Sequence, residues 1–128
     1  MSGARVQAKL TADLRTSLGC RYFFVHHSVG GNLIEGLGEL AAPMDLGAFE
    51  LVYTPKDELS EDGPLFAHVN AGQNTVPKSK VDGFAKHLRE LPRLKPDMAF
   101  MKLCYVDFHP TIDVVDLFGY YRRAIEEL

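Results

Sequence analysis

The chain has 128 residues, of which 46% are hydrophobic and 24% are charged, so its length fits one domain that can bury its own core. This composition excludes collagen-like, mucin-like and wholly disordered proteins. The net charge of −3 argues against a nucleic-acid partner, because such a partner requires a dense basic surface. No apolar run approaches the roughly 20 residues that cross a bilayer, so we expect no membrane partner.

The cysteines and the N-terminal residues indicate where the protein works. Cys20 and Cys104 are too few for a disulfide framework, so we expect two free thiols in a reducing compartment. The N-terminal segment carries Lys9, Asp13 and Arg15 and lacks the apolar centre of a signal peptide. These features predict a cytoplasmic protein with a single domain over residues 1–128.

Three short runs rich in β-branched and aromatic residues predict buried strands. They are residues 21–26, 49–53 and 98–103. Residues 54–79, between the last two runs, are polar and show little periodicity. Connections of that length are uncommon in compact domains and are often functional, so we expect a long loop on the side of the active site.

Apolar residues at helical spacing predict four helices around these strands. A leading helix occupies residues 1–19, and the others lie near residues 29–40, 81–91 and 112–125. Thr111 is the expected N-cap of the last helix, because its hydroxyl can accept a hydrogen bond from the first turn.

The alternation of helices and strands predicts an α/β fold in which helices cover both faces of a parallel sheet. Three strands are few for such a sheet, and the sequence ends at Leu128 within a helical pattern. We therefore expect the chain to be the N-terminal part of a larger domain. If the chain is complete, homo-oligomerisation through an exposed sheet edge is the expected alternative.

Polar side chains follow the first and the third predicted strands, at residues 26–28 and 104–109. Sheets of this kind form their active sites beyond the carboxyl ends of the strands, and His26, His27 and Ser28 lie beyond the first. Ser28 comes directly before a glycine-rich helix start, where a serine can act as a nucleophile beside backbone N–H groups that stabilise an oxyanion. The alternative role of Ser28 is to cap that helix.

Three segments at these strand ends resemble the sequence blocks of one hydrolase superfamily. Residues 24–32, FVHHSVGGN, resemble the first block of the SGNH (GDSL-like) hydrolases, with His-His-Ser in place of Gly-Asp-Ser. Residues 69–74, VNAGQN, resemble the second block, and residues 103–107 fall where the third block, Gly-x-Asn-Asp, is expected. Together with the PKSK run at 77–80, the blocks are similar to an uncharacterised bacterial branch of that superfamily.

The resemblance implies a flavodoxin-like three-layer α/β/α fold with strand order 2-1-3, and hydrolysis of a small-molecule ester without a cofactor or a metal. Ser28 would be the nucleophile, Gly72 an N–H donor to the oxyanion, and Asn74 or Asn70 a side-chain donor. The residues expected to bind the substrate are His27, Val29, Gly30, Asn32, Asn70 and Tyr105.

The chain departs from the family pattern in two places. Val106 stands where the third block has its asparagine, so a side-chain donor is missing unless Asn32, Asn70 or Asn74 replaces it. The Asp-x-x-His motif that supplies the general base does not occur, so we expect the base outside this chain, or a chain that is inactive alone. Within the chain, His109 oriented by Asp107 is the alternative base.

Two other functions stay open at this stage. A non-catalytic binding or self-assembly module of the same fold would use Ser28 only as a helix cap. A metal site could be formed by His26, His27, Asp107 and His109, although their spacing matches no ligand motif.

The sequence supports structural expectations for two further residues but none for a third. We expect Cys104 to be a buried, unreactive thiol. Lys102 is expected either to reach the sheet edge or to pair with an acid such as Asp107. His68 lies in the long polar connection, and the sequence assigns it no role.

Overall fold

A computed structural model of the chain describes residues 2–44, 49–53, 59–60 and 62–128. Residues 54–58 and 61 of the predicted long connection, and Met1 of the leading helix, lie outside the described residues. The main elements are α1 (Gly3–Ser17), β1 (Arg21–His26), α2 (Val29–Ala41), β2 (Glu50–Tyr53), β3 (Leu65–Asn70), α3 (Pro77–Glu90), β4 (Met98–Met101) and α4 (Val114–Glu126). No described helix has both the length and the apolar character needed to cross a membrane.

The strands form one sheet in the order β2-β3-β1-β4, and every neighbouring pair is parallel. This arrangement confirms the predicted α/β fold with a parallel sheet. The expected count of three strands is wrong, because β3 forms within the predicted 54–79 loop and lies between β2 and β1. Its alternating apolar residues Leu65, Ala67 and Val69 are buried, which is the pattern of a strand with one face in the core.

Successive side chains of β1 point to opposite faces of the sheet, and each face meets a helix. On one face, Phe23 stacks on Phe84 of α3, with 6.0 Å between the ring centroids. On the other face, His26 lies directly against Gly30 of α2. The helices therefore cover both faces and produce three layers. The buried core residues are Phe23, Val25, Leu59, Leu65, Ala67, Val69, Ala71, Phe84 and Leu94.

The strand order reverses at the carboxyl end of β1. From β1 the chain continues to β2 and β3 on one side of the sheet, whereas β4 is added on the other side. Ligands of doubly wound sheets bind where the strand order reverses in this way. Ser28 follows β1 at this position, and the 3₁₀ turn Tyr105–Asp107 follows β4 next to it.

The last helix begins two residues later than the sequence predicts. Asp113, not Thr111, is the N-cap of α4, because its carboxylate accepts hydrogen bonds from the N–H groups of Val115 and Asp116 at 2.9 and 3.0 Å. The hydroxyl of Thr111 instead lies 2.7 Å from Nδ1 of His109. A carboxylate that accepts two N–H groups and faces the positive end of a helix is the stronger cap.

At the amino end of the sheet, a buried arginine connects three segments of chain. The guanidinium of Arg21 donates to the carbonyl oxygens of Leu94, Gly63, Ser60 and Arg93 over distances between 2.7 and 3.0 Å. Burying a charge is costly unless its hydrogen bonds are satisfied, and these carbonyls satisfy the guanidinium. Arg21 thus holds the loops before β3 and after α3 against the start of β1.

We predict that Arg21→Met lowers the free energy of unfolding by about 3 kcal/mol, because several partly buried carbonyls lose their donor. Urea denaturation measures the change. Arg5→Met, at an exposed position of α1, is the matched control and should stay within about 0.5 kcal/mol of the unmodified chain. Equal stability of the two variants would contradict this role of Arg21.

Candidate active site

Ser28 lies between the end of β1 and the start of α2 in a strained backbone conformation. Its φ of 32° and ψ of −98° are far from the conformations that non-glycine residues prefer, and its side chain is exposed. The residue occupies the N-cap position of α2, yet its hydroxyl makes no capping hydrogen bond. A strained strand-to-helix turn that presents a serine hydroxyl is the arrangement that hydrolases use for a nucleophile.

The turn at Ser28 is held by the close approach of α2 to β1. The N–H of Gly30 donates to the carbonyl of His27 at 2.7 Å, and the N–H of Gly31 donates to the carbonyl of Ser28 at 2.8 Å. A Cβ atom on Gly30 would lie 2.2 Å from Cβ of His26, whereas a Cβ on Gly31 would meet no atom within 4 Å. Only glycine at position 30 therefore allows the helix to begin this close to the strand.

His27 connects the Ser28 turn to the turn that follows β3. Its Nε2 lies 2.9 Å from the carbonyl oxygen of Ala71, so Nε2 donates this hydrogen bond. The next residue, Gly72, has a φ of 76°, and a Cβ there would lie 2.5 Å from the backbone nitrogen of Lys80. Since His26 pairs in register with Asn70, the two turns leave the sheet side by side.

A buried ion pair lies beneath the neighbouring loops. Nζ of Lys80 is 2.6 Å from Oδ2 of Asp107, and both side chains are fully buried. Asp107 also accepts hydrogen bonds from the N–H groups of Thr75 at 2.9 Å and Cys104 at 2.7 Å. Burial alone would raise the pKa of Asp107, but the hydrogen bonds from Lys80 and the two N–H groups outweigh it and lower the pKa below 3.8.

The contacts of Asp107 differ from two expectations drawn from the sequence. Its carboxylate does not orient His109, whose Nε2 lies 3.3 Å from the carbonyl oxygen of Thr75 and whose Nδ1 faces Thr111. Nor does Asp107 pair with Lys102, because Nζ of Lys102 lies 3.5 Å from the carbonyl oxygen of Leu103. Lys80 occupies the position beside Asp107 that was expected for His109 or Lys102, because α3 directs its side chain into the protein.

Two histidines form a second buried polar group on the α2 side of the sheet. Nε2 of His26 lies 2.9 Å from Nδ1 of His68, and the ring of Tyr53 packs edge-on against His68. One ring must donate the hydrogen bond and the other must accept it, which two neutral rings in suitable tautomers can do. Burial, and the repulsion that a proton on both rings would cause, lower the pKa of His68 from 6.5 to about 4, and burial also lowers the pKa of His26.

The other predicted site residues differ in their exposure. Gly30 and Cys104 are buried, and the N–H of Cys104 is bound by Asp107. The exposed residues at this edge are Val29, Asn32, Asn70, Asn74 and Tyr105. Oδ1 of Asn74 accepts a hydrogen bond from Nζ of Lys80 at 2.8 Å. Within the described ranges, no group of three His, Cys, Asp or Glu residues is placed to hold a metal ion.

Comparison of the chain with protein-family models, with curated proteins and with solved structures finds no match.

The sequence carried signals for the two residues of this region that sequence analysis missed. Lys80 stands on the apolar stripe of α3 beside Val81 and Phe84, and all three are buried, so a lysine there required a buried acid as its partner. His68 alternates with Ala67 and Val69 in a run that Pro64 precedes, which is the signature of a short strand.

We predict opposite effects for two neighbouring glycine-to-alanine substitutions in α2. Gly30→Ala should lower the free energy of unfolding by about 2–4 kcal/mol, because the new methyl group overlaps His26. Gly31→Ala is the matched control, and it should raise stability by about 0.5–1 kcal/mol because alanine favours a helix and its methyl group meets nothing. Thermal or urea denaturation measures both. A tolerated alanine at position 30 would contradict the close contact of α2 with β1.

We also predict that the protein loses stability in mild acid because of the histidine pair. The pKa of His68 is lowered in the folded state, so its contribution is complete above about pH 6.5 and is lost as the pH falls towards about 4. The loss should be about 1–2 kcal/mol after allowance for screening by solvent. Urea denaturation at several pH values measures it.

His68→Asn tests the source of that loss, because an amide can take the place of Nδ1 but does not titrate in this range. The variant should show a smaller fall in stability between pH 6.5 and pH 4. His87→Asn, on α3, is the control and should keep the full fall. An unchanged pH dependence in His68→Asn would exclude the pair as its source.

Proposed function

We propose that the protein is a serine hydrolase that cleaves small-molecule esters, with Ser28 as its nucleophile. The observation that carries the proposal is the conformation of Ser28, which is strained, exposed and placed at the reversal of strand order without a capping bond. A serine that served only to cap α2 would need no such strain, since caps adopt ordinary extended conformations. The likeness of residues 24–32 and 69–74 to the first two SGNH blocks supports the same nucleophile.

The proposed reaction has two steps. Oγ of Ser28 attacks the ester carbonyl carbon and loses its proton to a base, and the tetrahedral intermediate then expels the alcohol, which takes up a proton. Water next attacks the resulting acyl-serine, and its breakdown releases the carboxylic acid and restores the hydroxyl of Ser28. Splitting one difficult displacement into two easier ones is the advantage of such covalent catalysis.

Backbone N–H groups at two turns can hold the oxyanion of each intermediate. Within the described part of the chain, the N–H groups of Ser28 and Gly72 have no hydrogen-bond partner. Ser28 also lies at the N-terminus of α2, where the helix dipole favours negative charge. Preorganised donors of this kind contribute about 10²–10³-fold each to turnover.

Among the described residues, no histidine is positioned to act as the base for Ser28. The imidazoles that follow β1 and β4 are engaged elsewhere, because Nε2 of His27 contacts the carbonyl of Ala71 and Nε2 of His109 contacts that of Thr75. No described histidine nitrogen contacts the hydroxyl of Ser28. We therefore expect the proton of Oγ to pass to water or buffer, and turnover by this chain to be slow.

Ser28→Ala tests the proposal. The unmodified chain should hydrolyse p-nitrophenyl acetate slowly and should be labelled at Ser28 by a fluorophosphonate probe, because both reactions require an exposed serine oxygen beside oxyanion donors. Ser28→Ala should lose the labelling completely and should lower the rate of hydrolysis at least about 10²-fold. Mass spectrometry of the labelled peptide identifies the site.

Ser17→Ala is the matched control, since Ser17 is exposed at the end of α1, before the amino end of β1, whereas Ser28 follows the carboxyl end of that strand. It should react like the unmodified chain. Hydrolysis and labelling that survive in Ser28→Ala, or that are absent from the unmodified chain, would refute the proposed function.

A further inference from the structure

The least explained feature of the molecule is the complete burial of the lysine on α3. Lys80 and Asp107 have no exposed side-chain surface, and their charged atoms are 2.6 Å apart. Lysine is almost never fully buried, because the cost of removing its charge from water can exceed the attraction of its partner. Two apolar side chains would often be at least as stable at such a position. The pair therefore calls for an explanation other than stability.

The ion pair joins the two loops that flank the carboxyl end of β1. Lys80 contacts Asn74 in the loop after β3, while Asp107 belongs to the turn after β4. Asp107 also binds the N–H of Thr75, a β-branched residue with a φ of 67°. Such a conformation costs about 1–3 kcal/mol and persists only where the surroundings impose it. The pair thus holds the loop after β3 in a shape that the loop would not adopt alone.

The lysine also decides which way the amide of Asn74 faces. An ammonium group carries only donors, so Asn74 must turn its oxygen towards Lys80, at 2.8 Å. Its NH₂ group then points away from Lys80, and the residue itself is exposed. Asn74 lies four residues beyond Asn70, which pairs with His26, so the loop that carries it leaves the sheet beside the Ser28 turn.

We infer that Asn74 is the side-chain donor to the oxyanion and that Lys80 and Asp107 are positioning residues that aim its NH₂ group. This inference rests on the proposed function. It selects Asn74 from the asparagines that could replace the third-block donor, whose position Val106 occupies. Lys80 acts through Asn74 and does not touch the substrate. Asp107 pairs with the buried Lys80 and fixes the backbone of Thr75.

The test compares rates of fluorophosphonate labelling at Ser28, together with kcat and KM for p-nitrophenyl acetate. Asn74→Leu removes the donor, and Asn74→Asp replaces it with an acceptor that still faces Lys80. Both should lower kcat and the labelling rate about 10²-fold with little change in KM. Lys80→Met should lower them between about 10- and 100-fold. Lys78→Met is the matched control from the same PKSK run; it removes an exposed ion pair with Asp116 and should leave both rates unchanged.

A double variant separates positioning from a general loss of structure. If Lys80 acts through Asn74, then Asn74→Leu/Lys80→Met should react no more slowly than Asn74→Leu alone. Circular dichroism and thermal unfolding establish that each variant is folded. Should Lys80→Met fail to fold because it leaves a buried carboxylate unpaired, Lys80→Met/Asp107→Leu, with two apolar side chains in place of the ion pair, replaces it and should show the same loss of rate.

The possible failures are distinguishable. Absence of labelling and turnover in the unmodified chain would remove the proposed function and this inference with it. Labelling that depends on Ser28 but is unchanged in folded Asn74→Leu would overturn the inference and leave the hydrolase proposal standing. Independent, multiplying losses in the double variant would overturn the positioning role of Lys80.

Discussion

The close contact between the first turn of α2 and the end of β1 is the constraint on which the candidate site depends. Gly30 lies so near His26 that no side chain fits between them. The chain must therefore pass from strand to helix within His27 and Ser28, and Ser28 absorbs the change of direction with a φ of 32°. The strain, about 1–3 kcal/mol, is borne by the packing of β1 between β3 and β4. Exposure of the hydroxyl is a consequence of that turn.

The fold was accessible from the sequence because the apolar patterns of its main elements are strong. The β-branched and aromatic run of β1 and the apolar stripe of α3 each have one structural interpretation, and their alternation determines a parallel sheet. β3 was harder to identify, because it is short, contains the polar residue His68 and lies within a polar connection. The sequence alone does not tell whether a histidine is buried or solvated. For His68, the contact with His26 in the folded structure shows that it is buried.

The site was predictable only in part, for a reason that applies to polar residues in general. Ser28 follows a predicted strand, so its place at one edge of the sheet follows from the topology. Gly72 follows β3, which the pattern did not predict, and only the resemblance of residues 69–74 to the second block indicated it. The partner of Asp107 does not follow from the topology, since Lys80, Lys102 and His109 could each have reached it. The choice of Lys80 over Lys102 and His109 depends on the rotation of α3, which the packing of Phe84 on Phe23 sets.

The two ends of the sheet use buried polar groups in different ways. At the amino end, the guanidinium of Arg21 donates to four backbone carbonyls, so these hydrogen bonds join loops without a titratable acceptor. At the carboxyl end, His26 pairs with His68 and Lys80 with Asp107, one group on each side of the Ser28 turn. Each of these pairs is costly to bury and sensitive to the loss of one partner. Stability alone does not favour two such pairs near the strained turn at Ser28, whereas the proposed site, which must hold donors in fixed directions, does favour them.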